Sequence, residues 1–202
     1  MEAQDPTVYL LAIASFFFLT YLLGSFFGRR RVAKLNKTFS EIISSSGGRV
    51  VGGRSGATAA ILSCKNLGNL AEFSIVVGIQ SWANPLSYLV SKMMGRGDLA
   101  VLRARLTQTP TFSYTLIRKD APARRYAAKW GRFVREINGY ILATPEKEVD
   151  DDVVSKTIQT VNRLDNLLLL SVNRELPHLQ AYFVPSSSDS IKNLLYVLIK
   201  LI

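Results

Sequence analysis

The side chains best suited to chemistry are few. His178 is the one imidazole and Cys64 the one thiol in 202 residues. A single cysteine excludes an internal disulfide and any multi-cysteine zinc site, and a single histidine leaves no imidazole pair to share a metal. A Ser-His-Asp or Cys-His mechanism would have to run through His178. That residue stands between Pro177 and Leu179, in a chain with no G-x-S-x-G nucleophile elbow. Cys64 falls in an apolar, strand-like run, where a thiol serves as packing. The acidic residues at 150–152 are the remaining metal candidate, yet consecutive acids point in different directions. Just ahead of Val153, Val154, Thr157, Ile158 and Val161 they suit a helix start, where carboxylates cap the first turn and meet the positive end of the dipole. The glycine-rich stretch 47–56, GGRVVGGRSG, lacks both the G-K-[ST] ending of a phosphate loop and the G-x-G-x-x-G spacing of a dinucleotide turn. It reads as a flexible hairpin or loop. No catalytic residue, metal or cofactor is expected.

The informative residues are instead basic and apolar. Lys and Arg number 25 against 15 Asp and Glu, and 48% of the chain is hydrophobic, too apolar for a disordered polycation. From 8 to 27 runs VYLLAIASFFFLTYLLGSFF, without a charge. As a helix it reaches about 30 Å, the thickness of a hydrocarbon core. Glu2 and Asp5 precede it where a signal peptide would carry a basic leader, and Phe26 and Phe27 close it where a cleavage site needs small residues, so a retained anchor is expected. Arg29, Arg30, Arg31, Lys34 and Lys37 crowd its far end. The positive-inside rule therefore places the N-terminus outside and the rest in the cytoplasm, where anionic headgroups and RNA both offer counter-charge.

The elements that must position these charges follow from periodicity. Residues 1–7 form a short outer N-terminus, 8–27 the span, 28–46 a basic juxtamembrane helix with Val32, Leu35, Phe39, Ile42 and Ile43 on one face, and 47–186 the cytoplasmic domain. Runs 57–64 and 71–80 predict an antiparallel pair around Gly68-Asn69. PLSYLVSKMM (85–94) predicts a short helix with Leu86, Leu89, Val90 and Met93 on one face, stopped by Gly95 and Gly97. Runs 98–107 and 111–119 predict strands joined across Gln108, Thr109 and Pro110, with Arg103 and Arg105 facing outward. Ala123, Tyr126, Ala127, Trp130, Phe133, Val134 and Ile137 recur at helical spacing, so 122–137 predicts a helix whose opposite face carries Arg125, Lys129, Arg132 and Arg135. Strand 140–144, a capped helix from about 150, strands 167–172 and 178–184, and a hydrophobic helix over 187–202 complete the order. Ser187, Ser188 or Asp189 would cap the last helix. With Lys192 and Lys200 as its charges after the cap, it is too short to span a bilayer, so it packs in the core, lies on the membrane or docks a partner through Leu194, Leu195, Leu198 and Leu201. The expected fold class is α+β: a single N-terminal transmembrane helix, then a domain with a mixed, mostly antiparallel sheet and helices on one face.

In order and local wording the chain resembles the calumin family. The anchor with RVAKLNKTFSEIISS resembles the family's span and juxtamembrane helix. Leu86, Leu89, Ser91, Lys92, Met93 and Met94 of PLSYLVSKMM form the most telling local match. VVSKTIQTVNRLDNLLLLSVN and LPHLQAYFVP are similar to its helix-into-strand unit and its closing strand. The resemblance implies a non-enzymatic membrane-anchored accessory at the Sec translocon, acting beside the ribosome, with a small Asterix-like membrane partner, on multispanning proteins during insertion. Its membrane would be the plasma membrane in a prokaryote or archaeon and the endoplasmic reticulum in a eukaryote. The family's acidic luminal region, linked to calcium, and its charged coiled coil have no counterpart here, so neither calcium binding nor a coiled-coil ribosome contact is implied. On this reading Arg29, Arg30, Arg31, Arg125, Lys129, Arg132 and Arg135 meet ribosomal RNA or lipid phosphates. The alternative function is a membrane-tethered nucleic-acid binder using Arg103, Arg105 and Tyr114 on a sheet face, although the interleaved aromatics of an RNA-recognition sheet are missing.

Overall fold

A computed structural model describes residues 6–80, 83–93, 97–146 and 149–200. The fold is α+β. One 40-residue helix, α1 (Pro6–Ser45), leads into nine strands: β1 (Arg49–Ser55), β2 (Ala59–Leu67), β3 (Leu70–Gly78), β4 (Leu99–Leu106), β5 (Tyr114–Arg118), β6 (Phe133–Ile137), β7 (Tyr140–Thr144), β8 (Leu167–Val172) and β9 (Leu179–Phe183). Helices α2 (Pro85–Met93), α3 (Asp151–Val161) and α4 (Ser188–Lys200) are inserted among or after them. The sheet order is β1-β2-β3-β4-β9-β8-β5-β7-β6, and every pairing is antiparallel, so the sheet is not mixed.

The span and the juxtamembrane helix are one element. No proline stands between Phe27 and Val32, the buried Gly28 is accommodated within the helix, and α1 runs on to Ser45. There Gly47 takes φ +85°, Gly48 N–H donates to the Ile43 carbonyl at 2.9 Å and Gly47 N–H to Ser44 at 3.2 Å, a Schellman stop built by the glycine pair. The N-terminal half of α1 is exposed almost all round and is long and apolar enough to cross a membrane. Its C-terminal half buries Val32, Phe39, Ile42 and Ile43 against the sheet, with the Phe39 and Phe183 rings edge to face at 6.2 Å.

Alternation along the strands sends one set of side chains to this inner face: Leu62 and Cys64, Phe73 and Ile75, Leu102 and Ala104, Ala181 and Phe183. α1, α3 and α4 close over them in a single core. The outer face carries a smaller cluster, Ile117, Ala121, Ala127 and Leu169, under a 3₁₀ segment, Pro122–Lys129.

Several expectations are refined or corrected. Of the two alternatives for the glycine-rich stretch at 47–56, a hairpin or a loop, the structure has the hairpin, as edge strand β1 pairing with β2 through a bulge between Val50 and Gly52. Strands β4 and β5 form as expected, although they are not sheet neighbours: β9 and β8 lie between them. Residues 122–137 are not one helix. The 3₁₀ segment stops at Lys129, and β6 pairs with β7 around Asn138 and Gly139, both at positive φ (45° and 84°). That Asn-Gly turn, flanked by Phe133, Val134 and Ile137 and by Tyr140 and Ile141, holds a hairpin more firmly than helical spacing holds a helix. Finally, α4 is amphipathic: it buries Ile191, Leu194, Leu195 and Leu198 and exposes Lys192, Asn193 and Tyr196. Ser187 caps it, accepting from Ser190 N–H at 3.1 Å.

Candidate membrane-facing site

The strand register gives the domain two ends. α1 descends from the apolar run and lies beside β1, so Arg31 stands near the end of the sheet where β3 finishes and β4 begins. There the Arg31 guanidinium meets Asp98 Oδ2 at 2.5 Å, and the Gln80 backbone N–H donates to Asp98 Oδ1 at 2.9 Å. Asp98 is 9% exposed at its side chain, so the pair is screened from water on one side. Arg31 lies four residues past Phe27, about 6 Å along a helix from the end of the apolar run. Asp98 therefore fixes the β3–β4 connection at the level where headgroups would begin.

That connection carries α2. Gln80 Nε2 donates to the Tyr88 carbonyl at 3.2 Å, tying the helix to the same end of the sheet. Among the described side chains of α2 none is buried: Leu86, Leu89, Val90 and Met93 are all exposed, Met93 at 81%. Among the described residues, α2 thus presents an exposed apolar face at the end of the sheet where Asp98 meets Arg31.

The same end opens a cleft of about 930 Å³ on the outer face, between the 3₁₀ segment and β8–β9. Its walls include Leu99, Leu168, Leu169, Tyr182, Val184 and Trp130, with the Trp130 and Tyr182 rings edge to face at 6.1 Å. Arg125 and Lys129 stand at its rim, Lys129 Nζ 5.1 Å over the Tyr126 ring.

The other basic candidates scatter. Arg29 is exposed, Arg30 lies 4.2 Å over the Phe26 ring, and Arg31 is engaged by Asp98. Arg125 and Lys129 share the 3₁₀ segment. Arg132 lies beyond that segment beside β6, and Arg135 is on β6, ion-paired with Asp151. The four therefore do not form one helix face, because the hairpin turns the last two away. Leu194, Leu195 and Leu198 face the domain's own core at 0–1% exposure, so their surface is covered by this chain and is not a docking face. Leu201 lies outside the described residues, as do Glu2, Asp5, Met94 and Gly95.

Arg103 and Arg105 are exposed on the outer face, but Tyr114 points inward, its hydroxyl 2.9 Å from Thr157 Oγ1, so the three do not share a face. Cys64 is buried and desolvation pushes its thiol up to about 11. His178 is buried too, and its Nδ1 accepts from the Leu106 N–H at 3.3 Å. Asp150 caps α3 through the Asp152 N–H at 2.9 Å, as expected from the acidic helix start. Among the described residues no three His, Cys, Asp or Glu side chains converge as a metal site would require.

Sequence reasoning missed Asp98 and the Trp130–Tyr182 wall. Tyr182 was available from the alternation of HLQAYFV, which sends Gln180 and Tyr182 to the face opposite Leu179, Ala181 and Phe183. Asp98 gave no signal, being a lone acid after Gly97. Comparison of the sequence with protein-family models gave no match, and comparison with curated proteins gave none either.

Proposed function

We propose that this chain is a non-enzymatic, membrane-anchored scaffold at the Sec translocon that assists ribosome-coupled insertion of multispanning proteins, with its N-terminus outside and its domain in the cytoplasm. The observation that carries the proposal is α2: an apolar face of Leu86, Leu89, Val90 and Met93 left exposed at the level of Arg31. Such a face, tied through Gln80 and Asp98 to Arg31 of α1, offers apolar segments of a client or channel subunit a docking surface at the membrane boundary. The cluster Arg29 to Arg31 supports the orientation by the positive-inside rule. The Sec channel, the ribosome and an Asterix-like partner rest on the resemblance to the calumin family, with Arg29, Arg125, Lys129 and Arg132 as the exposed cations for RNA or headgroup phosphates.

Photo-crosslinking tests this directly. A crosslinker at Leu89 or Val90 of the full chain in its native membrane should capture channel subunits or nascent membrane proteins during synthesis, while one at Tyr196 on the exposed side of α4 should not. Crosslinks from α2 to lipid alone would overturn the scaffold reading.

A further inference from the structure

The cleft beneath the 3₁₀ segment combines three properties that are not needed to hold the fold together. Its walls are apolar and aromatic, its volume of about 930 Å³ is that of a ligand site, and its rim is cationic. Among the described residues neither Arg125 nor Lys129 is ion-paired with a carboxylate. The one acid lining the cleft, Asp98, is occupied by Arg31 and the Gln80 N–H. The cleft begins at Gly97, Asp98 and Leu99, which is also where Asp98 ties the domain to α1 just past its apolar run.

We infer that this cleft takes one anionic phospholipid from the adjoining leaflet, its phosphate against Arg125 and Lys129 and an acyl chain along Leu168, Tyr182, Val184 and Trp130. Charge complementarity selects the headgroup, since a guanidinium and an ammonium with no acid of their own form charge-assisted bonds to phosphate oxygens. The apolar walls select a lipid over a soluble phosphate, because inorganic phosphate would leave the Trp130–Tyr182 wall wet. Placement supplies the source: α1 in a bilayer brings the mouth of the cleft to the headgroup layer. The inference rests on that anchoring and not on the Sec partner.

The test uses the full chain in micelles of an uncharged detergent, with Trp82→Phe so that Trp130 is the sole indole, titrated with phosphatidylglycerol carrying brominated acyl chains. Bromine quenches indole on contact. Quenching should saturate, with half-saturation at least about tenfold lower than for brominated phosphatidylcholine. Arg125→Glu with Lys129→Glu should raise that midpoint about tenfold or more while leaving circular dichroism unchanged, and Ala123→Phe, which fills the cleft, should abolish saturable quenching. Equal midpoints for the two lipids, quenching that never saturates, or no response to the charge reversal would overturn the inference. Full competition by millimolar inorganic phosphate would overturn it as well, by assigning the site to a soluble anion. If Ala123→Phe misfolds, the charge-reversal arm decides. The micelles hold no channel or ribosome, so failure here and failure of the scaffold reading are separate results.

Discussion

Helices α2 and α4 are both short, apolar and amphipathic, yet the fold uses them in opposite ways. α4 lies on the inner face of the sheet beside α1 and α3, and its leucines vanish into the core. α2 lies in the connection between β3 and β4, and its leucines stay exposed. Apolarity is common to both; what differs is whether the topology supplies a surface to cover it. Of the three uses open to the terminal helix, the structure has core packing, while the apolar face of 85–94 is the one left exposed. The same contrast separates the faces of the sheet, with the inner one dry and the outer one partly open around its cleft.

The largest effect should come from truncating the two helices in parallel. Leu194→Ala removes a fully buried side chain and should cost about 3 kcal/mol, whereas Leu89→Ala removes one already in contact with solvent and should cost less than about 0.5 kcal/mol. Urea denaturation of the full chain in detergent measures both. Equal costs would mean that α2 is covered after all, and the comparison would collapse.

A second experiment tests how dry the inner face is. Cys64 points into it, and burial moves its thiol from an ordinary 9.0 up to about 11. The unfolded thiol ionises first, so between these values the unfolded state binds fewer protons than the folded one and stability falls as pH rises. The loss should be about 1 kcal/mol between pH 8 and pH 10 and grow further up to pH 11. Other groups titrate there too, so the quantity to measure is the difference in pH slope between the natural chain and Cys64→Ala. Identical slopes would show that water reaches Cys64 in the folded protein.

Much of this was legible in the residues, and the failures have identifiable causes. Alternation marks β2, β3, β4 and β9 because one face of each is buried, and a one-residue slip would invert every side chain, whereas β8 was legible as a continuous apolar run, buried on nearly every residue. The cap of α3 was legible because carboxylates before a β-branched helical stripe have one good use. The stretch 122–137 was misread because its apolar residues, Ala123 to Ile137, satisfy helical spacing throughout, while Asn138-Gly139, the stronger local signal, lies just beyond it. β1 was only half legible, as a hairpin or a loop, because its pairing is backbone to backbone and its glycines leave no side-chain alternation to read. The candidate site was the least legible part. α2 could be drawn with its apolar face, but whether that face is covered depends on strand order, which places β9 and not β5 beside β4. The cleft likewise joins residues from β8, β9 and the 3₁₀ segment that no local pattern connects.

The smallest expected effect concerns the tie that gives α2 its level. Asp98→Asn preserves shape and an acceptor for the Gln80 N–H but removes the charge facing Arg31; Arg31→Gln removes the other side of the pair. Because Asp98 is nearly buried while Arg31 is 60% exposed, the pair should be worth more than a free surface ion pair and far less than a buried one, about 1 kcal/mol of coupling in a double-mutant cycle. The coupling should shrink little in high salt, since Asp98 is shielded by Gln80 and the sheet end, whereas a screened surface pair would lose most of it. A coupling near zero would leave α2 without its link to α1. Its exposed leucines would then belong to a mobile connection free to leave the membrane surface, and the contrast with α4 would become one of order against disorder instead of covered against uncovered.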